Sequence, residues 1–186
     1  GLSSLIQKYS FTIDGVSTNV GNLLSVRDMA CGISSLDYGF VASGGGAPNQ
    51  YGNESQIDKF SFVSDGNSTY YGWNFVGKKG AAGLFSTTDG YIAAGQTHPP
   101  AGIGHRSDVQ KFPFATESNT TTIGDLTYVL LQPAGSSSME YGYVSGGQGP
   151  TGVSSRMSRF VWASTVTDET IGNLAVGGWG QSGYQV

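Results

Sequence analysis

The chain has 186 residues, of which only 12% are charged and 30 are glycine. A net charge of −4 with no basic run argues against duplex nucleic acid as a partner, because that binding rests on clustered Lys and Arg. No apolar run approaches the eighteen or so residues that cross a bilayer, so no membrane insertion is expected. Tyr and Phe supply 19 of the 22 aromatics, and Ala/Leu/Glu/Lys blocks are missing, which favours short strands joined by many turns. Cys31 is the single cysteine, so an intrachain disulfide is excluded. Its small, apolar surroundings, Met29-Ala30-Cys31-Gly32, read as those of a buried structural thiol.

The first predicted strand, residues 5–11, sets a pattern that recurs along the chain. Its Lys8 is matched by Lys59, Lys111 and Arg159, spaced 51, 52 and 48 residues apart. One place later stand Tyr9, Phe60, Phe112 and Phe160, and three places later Phe11, Phe62, Phe114 and Trp162. Two places earlier stand Ile6, Ile57, Val109 and Met157. The two aromatics of each copy share a face by two-residue periodicity. A turn follows, Ser64-Asp65-Gly66-Asn67 in one copy, whose Asp-Gly pair tolerates positive φ and suits a hairpin. Thirteen residues after each basic anchor comes a fourth strand marked by Gly21, Gly72, Gly124 and Gly172. Twenty-four after it come Gly32, Gly83, Gly135 and Gly183, which mark the first strand of the next copy. The second strands are Tyr38-Gly39-Phe40-Val41-Ala42-Ser43-Gly44, Asp89-Gly90-Tyr91-Ile92-Ala93-Ala94-Gly95 and Tyr141-Gly142-Tyr143-Val144-Ser145-Gly146-Gly147.

Four short strands per repeat of about fifty residues predict an all-β chain of β-propeller blades. The division is a partial blade at 1–24, blades at about 25–76, 77–128 and 129–175, and a partial blade at 176–186. Both ends fall inside a repeat, and the expectation is one segment, 1–186, of a longer polypeptide.

These motifs resemble kelch repeats. Val41-Ala42-Ser43-Gly44-Gly45 and Val144-Ser145-Gly146-Gly147 match the family's hydrophobic strand ending in Gly-Gly, and Lys59-Phe60-Ser61-Phe62 and its copies match its aromatic strand. The second copy departs with Gly95-Gln96, and the family's later Trp is replaced by Val20, Tyr71, Ile123 and Ile171. Ile57-Asp58-Lys59-Phe60-Ser61-Phe62 and Ile123-Gly124-Asp125-Leu126 are further similar to kelch-like arrays encoded by bacteriophages. That resemblance implies a virion (extracellular particle) protein, structural or host-attaching, of tail-fibre or other appendage type. Its partners would be other virion proteins or a host-surface glycan or protein, within an oligomeric assembly. The alternatives are a cellular kelch-type protein-interaction module and part of a propeller lectin or enzyme.

Length varies in one place only. From Gly44 to Ile57 is 13 residues, from Gly95 to Val109 is 14 and from Gly147 to Met157 is 10; subtracting these from 51, 52 and 48 leaves the same remainder each time. The connection between second and third strands therefore absorbs all the variation, and variable loops on a rigid scaffold are where binding usually resides. Loops 45–56, 96–108 and 148–156 carry Tyr51, His98, His105, Arg106, Gln148 and Arg156, which are the expected binding residues for glycan or protein. No catalytic residues, no metal site and no cofactors are expected. Two histidines fall short of the three or four convergent ligands a metal usually needs. The four arginines are dispersed, and no Gly-x-Ser-x-Gly elbow is present. Asn53, Asn67 and Asn119 each open an Asn-x-Ser/Thr triplet, which matters only on a eukaryotic secretory route.

Overall fold

The computed structural model describes residues 2–46, 52–53, 55–97, 104–162, 165–180 and 183, with the backbone alone at 52–53. Every regular element among them is a β-strand. β1 (Ser3–Lys8) and β2 (Thr18–Asp28) form an antiparallel pair. β3 (Cys31–Ser34), β4 (Tyr38–Ala42), β5 (Gly45–Gly46), β6 (Gly52–Asn53), β7 (Gln56–Ser61) and β8 (Thr69–Trp73) follow. β3, β4, β7 and β8 make a four-stranded antiparallel sheet in that order.

The same order repeats twice. β9 (Ala82–Phe85), β10 (Asp89–Ala93), β12 (Gly104–Pro113) and β13 (Thr121–Leu130) form the second sheet, with β11 (Gln96–Thr97) pairing to the start of β12. β14 (Ala134–Ser137), β15 (Tyr141–Ser145), β18 (Arg156–Val161) and β19 (Glu169–Asn173) form the third, and β16 (Gln148–Gly149) pairs with β17 (Gly152–Val153) in a small hairpin.

The core lies between consecutive sheets. Phe40, Ile57, Tyr71, Ile92 and Phe112 close one layer, and Tyr91, Ala93, Val109, Val144 and Phe160 close the next. Ile92 points to one layer while Tyr91 and Ala93 point to the other, so β10 is apolar on both faces, as a strand covered on both sides must be. Side chains alternate by the strand period, and Phe40 and Tyr91, the aromatics that follow Gly39 and Gly90, enter the layers between sheets. Phe40 meets Tyr71, Phe112 and Phe114 at ring-centroid distances of 5.0, 5.4 and 5.1 Å. Tyr91 meets Phe160 and Trp162 in the same way.

Two features lock each repeat to the next. The Gly80 N–H donates to the Met29 carbonyl at 2.8 Å, Gln132 to Gly80 at 2.8 Å and Gly180 to Gln132 at 3.1 Å. These four residues are equivalent in the repeat, and all four adopt left-handed φ, from 49° to 67°. The glycines of the first strands stack on one another: a Cβ at Gly83 would strike the Gly32 carbonyl, and one at Gly135 would lie 2.5 Å from the Gly83 carbonyl. That close approach, rather than a turn, explains the glycine at 83 and 135; at Gly32, which meets no earlier first strand, nothing lies within 4 Å of the Cβ position.

Candidate functional site

In antiparallel sheets of this order, the connection from second to third strand and the one from fourth strand to the next first strand open at the same end. That end collects the length-variable segments. They are not bare loops. Gly45–Gly46 pairs with Arg27 and Asp28 and with Gly52–Asn53. Gln96 and Leu131 extend the same pattern, through bridges from Lys79 to Gln96 and from Leu131 to Gln148.

Four of the six expected binding residues fall on described positions, and the structure corrects their setting. His105 and Arg106 lie in β12, not in a loop; His105 sits opposite Gln96, and the Arg106 N–H donates to the Gly95 carbonyl at 2.8 Å. The Arg106 Nε donates to Asp108 Oδ1 at 2.9 Å, which ties the guanidinium to the buried carboxylate while the side chain stays 40% exposed. Gln148 is in β16, with its backbone exchanging hydrogen bonds with Leu131 at 2.8 Å. Arg156 opens β18; its guanidinium lies 3.3 Å from the Tyr128 ring centroid and donates to Thr170 Oγ1 at 2.8 Å. Tyr51 and His98 lie outside the described residues. The structure thus places two of the four on the second sheet, Arg156 on the third and Gln148 in the β16–β17 hairpin.

Beneath this end lies a feature the sequence reading missed. Arg27 and Asp58 form an ion pair at 2.9 Å with side chains 1% and 0% exposed. Arg27 also donates to the Ser43 and Gln56 carbonyls. Asp58 accepts from the Gln56 amide at 2.7 Å, the Ser68 hydroxyl at 2.9 Å and the Leu24 N–H at 2.7 Å. Lys78, the repeat equivalent of Arg27, pairs with Asp108 at 2.9 Å, again buried. Gln110 donates to the same carboxylate at 2.9 Å. Burial alone would raise the Asp108 pKa, but Lys78 and the hydrogen bonds from Gln110 and Arg106 outweigh it and hold the carboxyl below its ordinary range. Burial likewise pushes the Lys78 ammonium below its ordinary value, with Asp108 opposing. Among the charged groups of these two pairs, Arg27 Nε alone is left without a hydrogen-bond partner. Paired buried charges of this kind set the geometry of the surface above them.

At the opposite end the first-to-second-strand turns converge. Ser34, Ser35, Leu36, Phe85, Ser86, Thr87, Ser138 and Met139 line a depression of about 440 Å³. Leu36 and Met139, equivalent positions, stand 92% and 88% exposed. The turn asparagines Asn67 and Asn119 use Oδ1 to accept the N–H of Asn22 and Trp73 in the preceding copy, both at 3.0 Å. Cys31 is buried, its thiol donates to the Ala42 carbonyl at 3.4 Å, and burial pushes its pKa up to about 12. Among the described residues, no group of three or more His, Cys, Asp and Glu side chains is placed to hold a metal ion. No helix among them is long and apolar enough to cross a membrane.

No known protein family matches the chain, and no curated protein matches it. Among solved structures, that of YjhT is similar, with a TM-score of 0.73 at 11% sequence identity. The likeness covers 89% of this chain, which spans 58% of that protein's length. At such identity the two share an all-β fold and nothing more is implied.

Proposed function

We propose that the three sheets are kelch-like blades of a β-propeller, and that the chain serves as a non-enzymatic component of a bacteriophage virion. Its part is structural or host-attaching, with glycan or protein contacts made by the end that carries segments 45–56, 96–108 and 148–156. The observation that carries this reading is the contrast between frame and insert. The frame repeats its hydrogen bonds from copy to copy, as at Met29, Gly80, Gln132 and Gly180. The inserts alone change length, at 13, 14 and 10 residues. A frame held constant beneath variable segments suits recognition of differing surfaces, and the phage-like repeat style points to the virion.

The test has two arms. Mass spectrometry of purified virions should find the chain among the particle's proteins. The purified chain should bind host cells or an arrayed glycan, and exchanging segment 148–156 for 45–56 should alter that binding without lowering the unfolding midpoint. Presence only in the cell fraction, or binding indifferent to the exchange but abolished by changes at Leu36 and Met139, would overturn the proposal.

A further inference from the structure

The two ends of the strands differ in charge as well as in length variation. The end opposite the variable segments carries the first-to-second and third-to-fourth strand turns, in residues 8–16, 35–38, 59–67, 86–89, 111–119, 138–141 and 159–169. These hold eight of the chain's thirteen acids but four of its nine bases, so the whole net charge of −4 falls on them. The four bases are already engaged. Lys8 pairs with Asp65, Lys111 with Asp89 and Arg159 with Glu169, and the Lys59 ammonium lies 4.0 Å from the Tyr38 ring centroid. Asp37, Glu117 and Glu140 are exposed and form no ion pair among the described residues. Apolar side chains stand beside these free acids. Leu36-Asp37 tips one first-to-second strand turn and Met139-Glu140 tips the equivalent turn two copies on, with Thr87-Thr88 between them. Leu36 and Met139 extend almost wholly into solvent beside the depression of about 440 Å³, whose lining includes Phe85. The depression lies among three consecutive described sheets. Its serine hydroxyls are turned away: Ser35, Ser86 and Ser138 donate to the Tyr38, Asp89 and Tyr141 carbonyls of their own turns.

We infer that this end docks a basic polypeptide segment of a partner protein, with an aliphatic side chain seated in the depression against Leu36, Phe85 and Met139, and lysine or arginine on either side facing Asp37 and Glu140. Exposed apolar side chains rimmed by polar ones mark a surface that gains by being covered. Apolar burial supplies the affinity, and the unpaired acids steer the approach and select the sign of the partner. Charge also decides between occupants. A second copy of this chain would set two surfaces of the same sign against each other, and an anionic lipid surface would be repelled in the same way. A sugar would find the serine hydroxyls already committed to backbone. The inference concerns the opposite end from the variable segments and a different partner, so it stands or falls separately from the function proposed above.

The probe is a fluorescently labelled peptide, Gly-Lys-Arg-Leu-Leu-Lys-Arg-Gly, titrated into the whole chain. Saturable binding by fluorescence anisotropy is expected. The double variant Leu36→Ser with Met139→Ser should bind at least about tenfold more weakly, the scale set by losing one buried aliphatic contact. Asp37→Asn with Glu140→Gln should also weaken binding, and should lose less than the parent chain does when salt is raised from about 50 to about 200 mM. All four positions are exposed turn residues, so both double variants should keep the parent's unfolding midpoint, which separates lost docking from lost fold. Absence of saturable binding overturns the inference, as does binding by either double variant equal to the parent's. Equal affinity for a peptide with serine in place of both leucines also overturns it, because charge attraction alone would then explain the binding. So does a dimer of the chain in sedimentation that Leu36→Ser with Met139→Ser dissolves, since a second copy would then be the occupant.

Discussion

The first two sheets and the third handle one position in opposite ways. Where Arg27 meets Asp58 and Lys78 meets Asp108, the step into the third sheet has Leu130, at the end of β13, at the place of the cation, and Ser158 in β18 at the place of Asp58. Leu130 joins the apolar layer with Val109 and Val144. Arginine returns three residues before the anchor, as Arg156, but it lies outside the core against Tyr128. Cation and carboxylate are thus present together or absent together while the backbone frame stays the same. That is what the energetics demand: a buried pair and an apolar pair of similar size are nearly interchangeable, whereas half a pair is not tolerated.

The largest expected effect comes from leaving half a pair. Asp58→Ala strands the Arg27 guanidinium, which is 1% exposed, and should lower stability by about 3–5 kcal/mol, read from urea unfolding. The double variant Arg27→Leu with Asp58→Ser copies the third sheet and should recover most of that loss. A double variant no better than the single one would break the comparison.

Next comes the glycine stack. Gly83→Ala should destabilise by about 1–3 kcal/mol, because its Cβ meets the Gly32 backbone. Gly32→Ala should be close to neutral, since nothing lies within 4 Å of its Cβ position. The pair isolates copy-to-copy contact from strand propensity, and equal losses would show that propensity alone was measured.

Acid should give a smaller, graded loss. The folded pKa of Asp108 lies below its unfolded value of about 3.9, so its contribution is complete above that value and is lost as pH falls through the folded one. Lys78, depressed by burial, acts in the opposite region, adding stability only as pH rises towards 10.5. The unfolding midpoint should therefore fall below about pH 4. A variant with Lys78→Leu and Asp108→Ser should show a shallower acid limb, which sharpens the contrast with the third sheet.

The smallest effects should come from the variable end. His105→Ala and Gln148→Ala should each change stability by less than about 0.5 kcal/mol. Arg106→Ala should exceed them, because Arg106 is a partner of buried Asp108. The Cys31 thiol, with its pKa near 12, should react with a thiol reagent at neutral pH only once the protein unfolds.

The strands and their order were legible because each carries a periodic mark: paired aromatics at Phe60 and Phe62, and glycines at fixed distance at Gly72 and Gly83. The ion pairs were not. Their members stand 31 and 30 residues apart, and the carboxylate shifts from one place before the anchor (Asp58) to three places before it (Asp108). The basic residue alone, Arg27 or Lys78, reads as an ordinary surface charge. The strand character of His105 and Arg106 was hidden for another reason. β12 starts five residues before its apolar position Val109, and Gly104 to Ser107 show no alternation. Two-residue strands such as Gly45–Gly46 carry no periodicity at all.

Successive copies are bonded to one another through equivalent left-handed residues. Amide hydrogen exchange at Gly80, Gln132 and Gly180 tests it most directly. Slow exchange is expected at all three, close to that of the buried strand amide of Ile92. Exchange at any of them as fast as at Ile13, an exposed turn amide bonded only to the Ser10 hydroxyl, would contradict it.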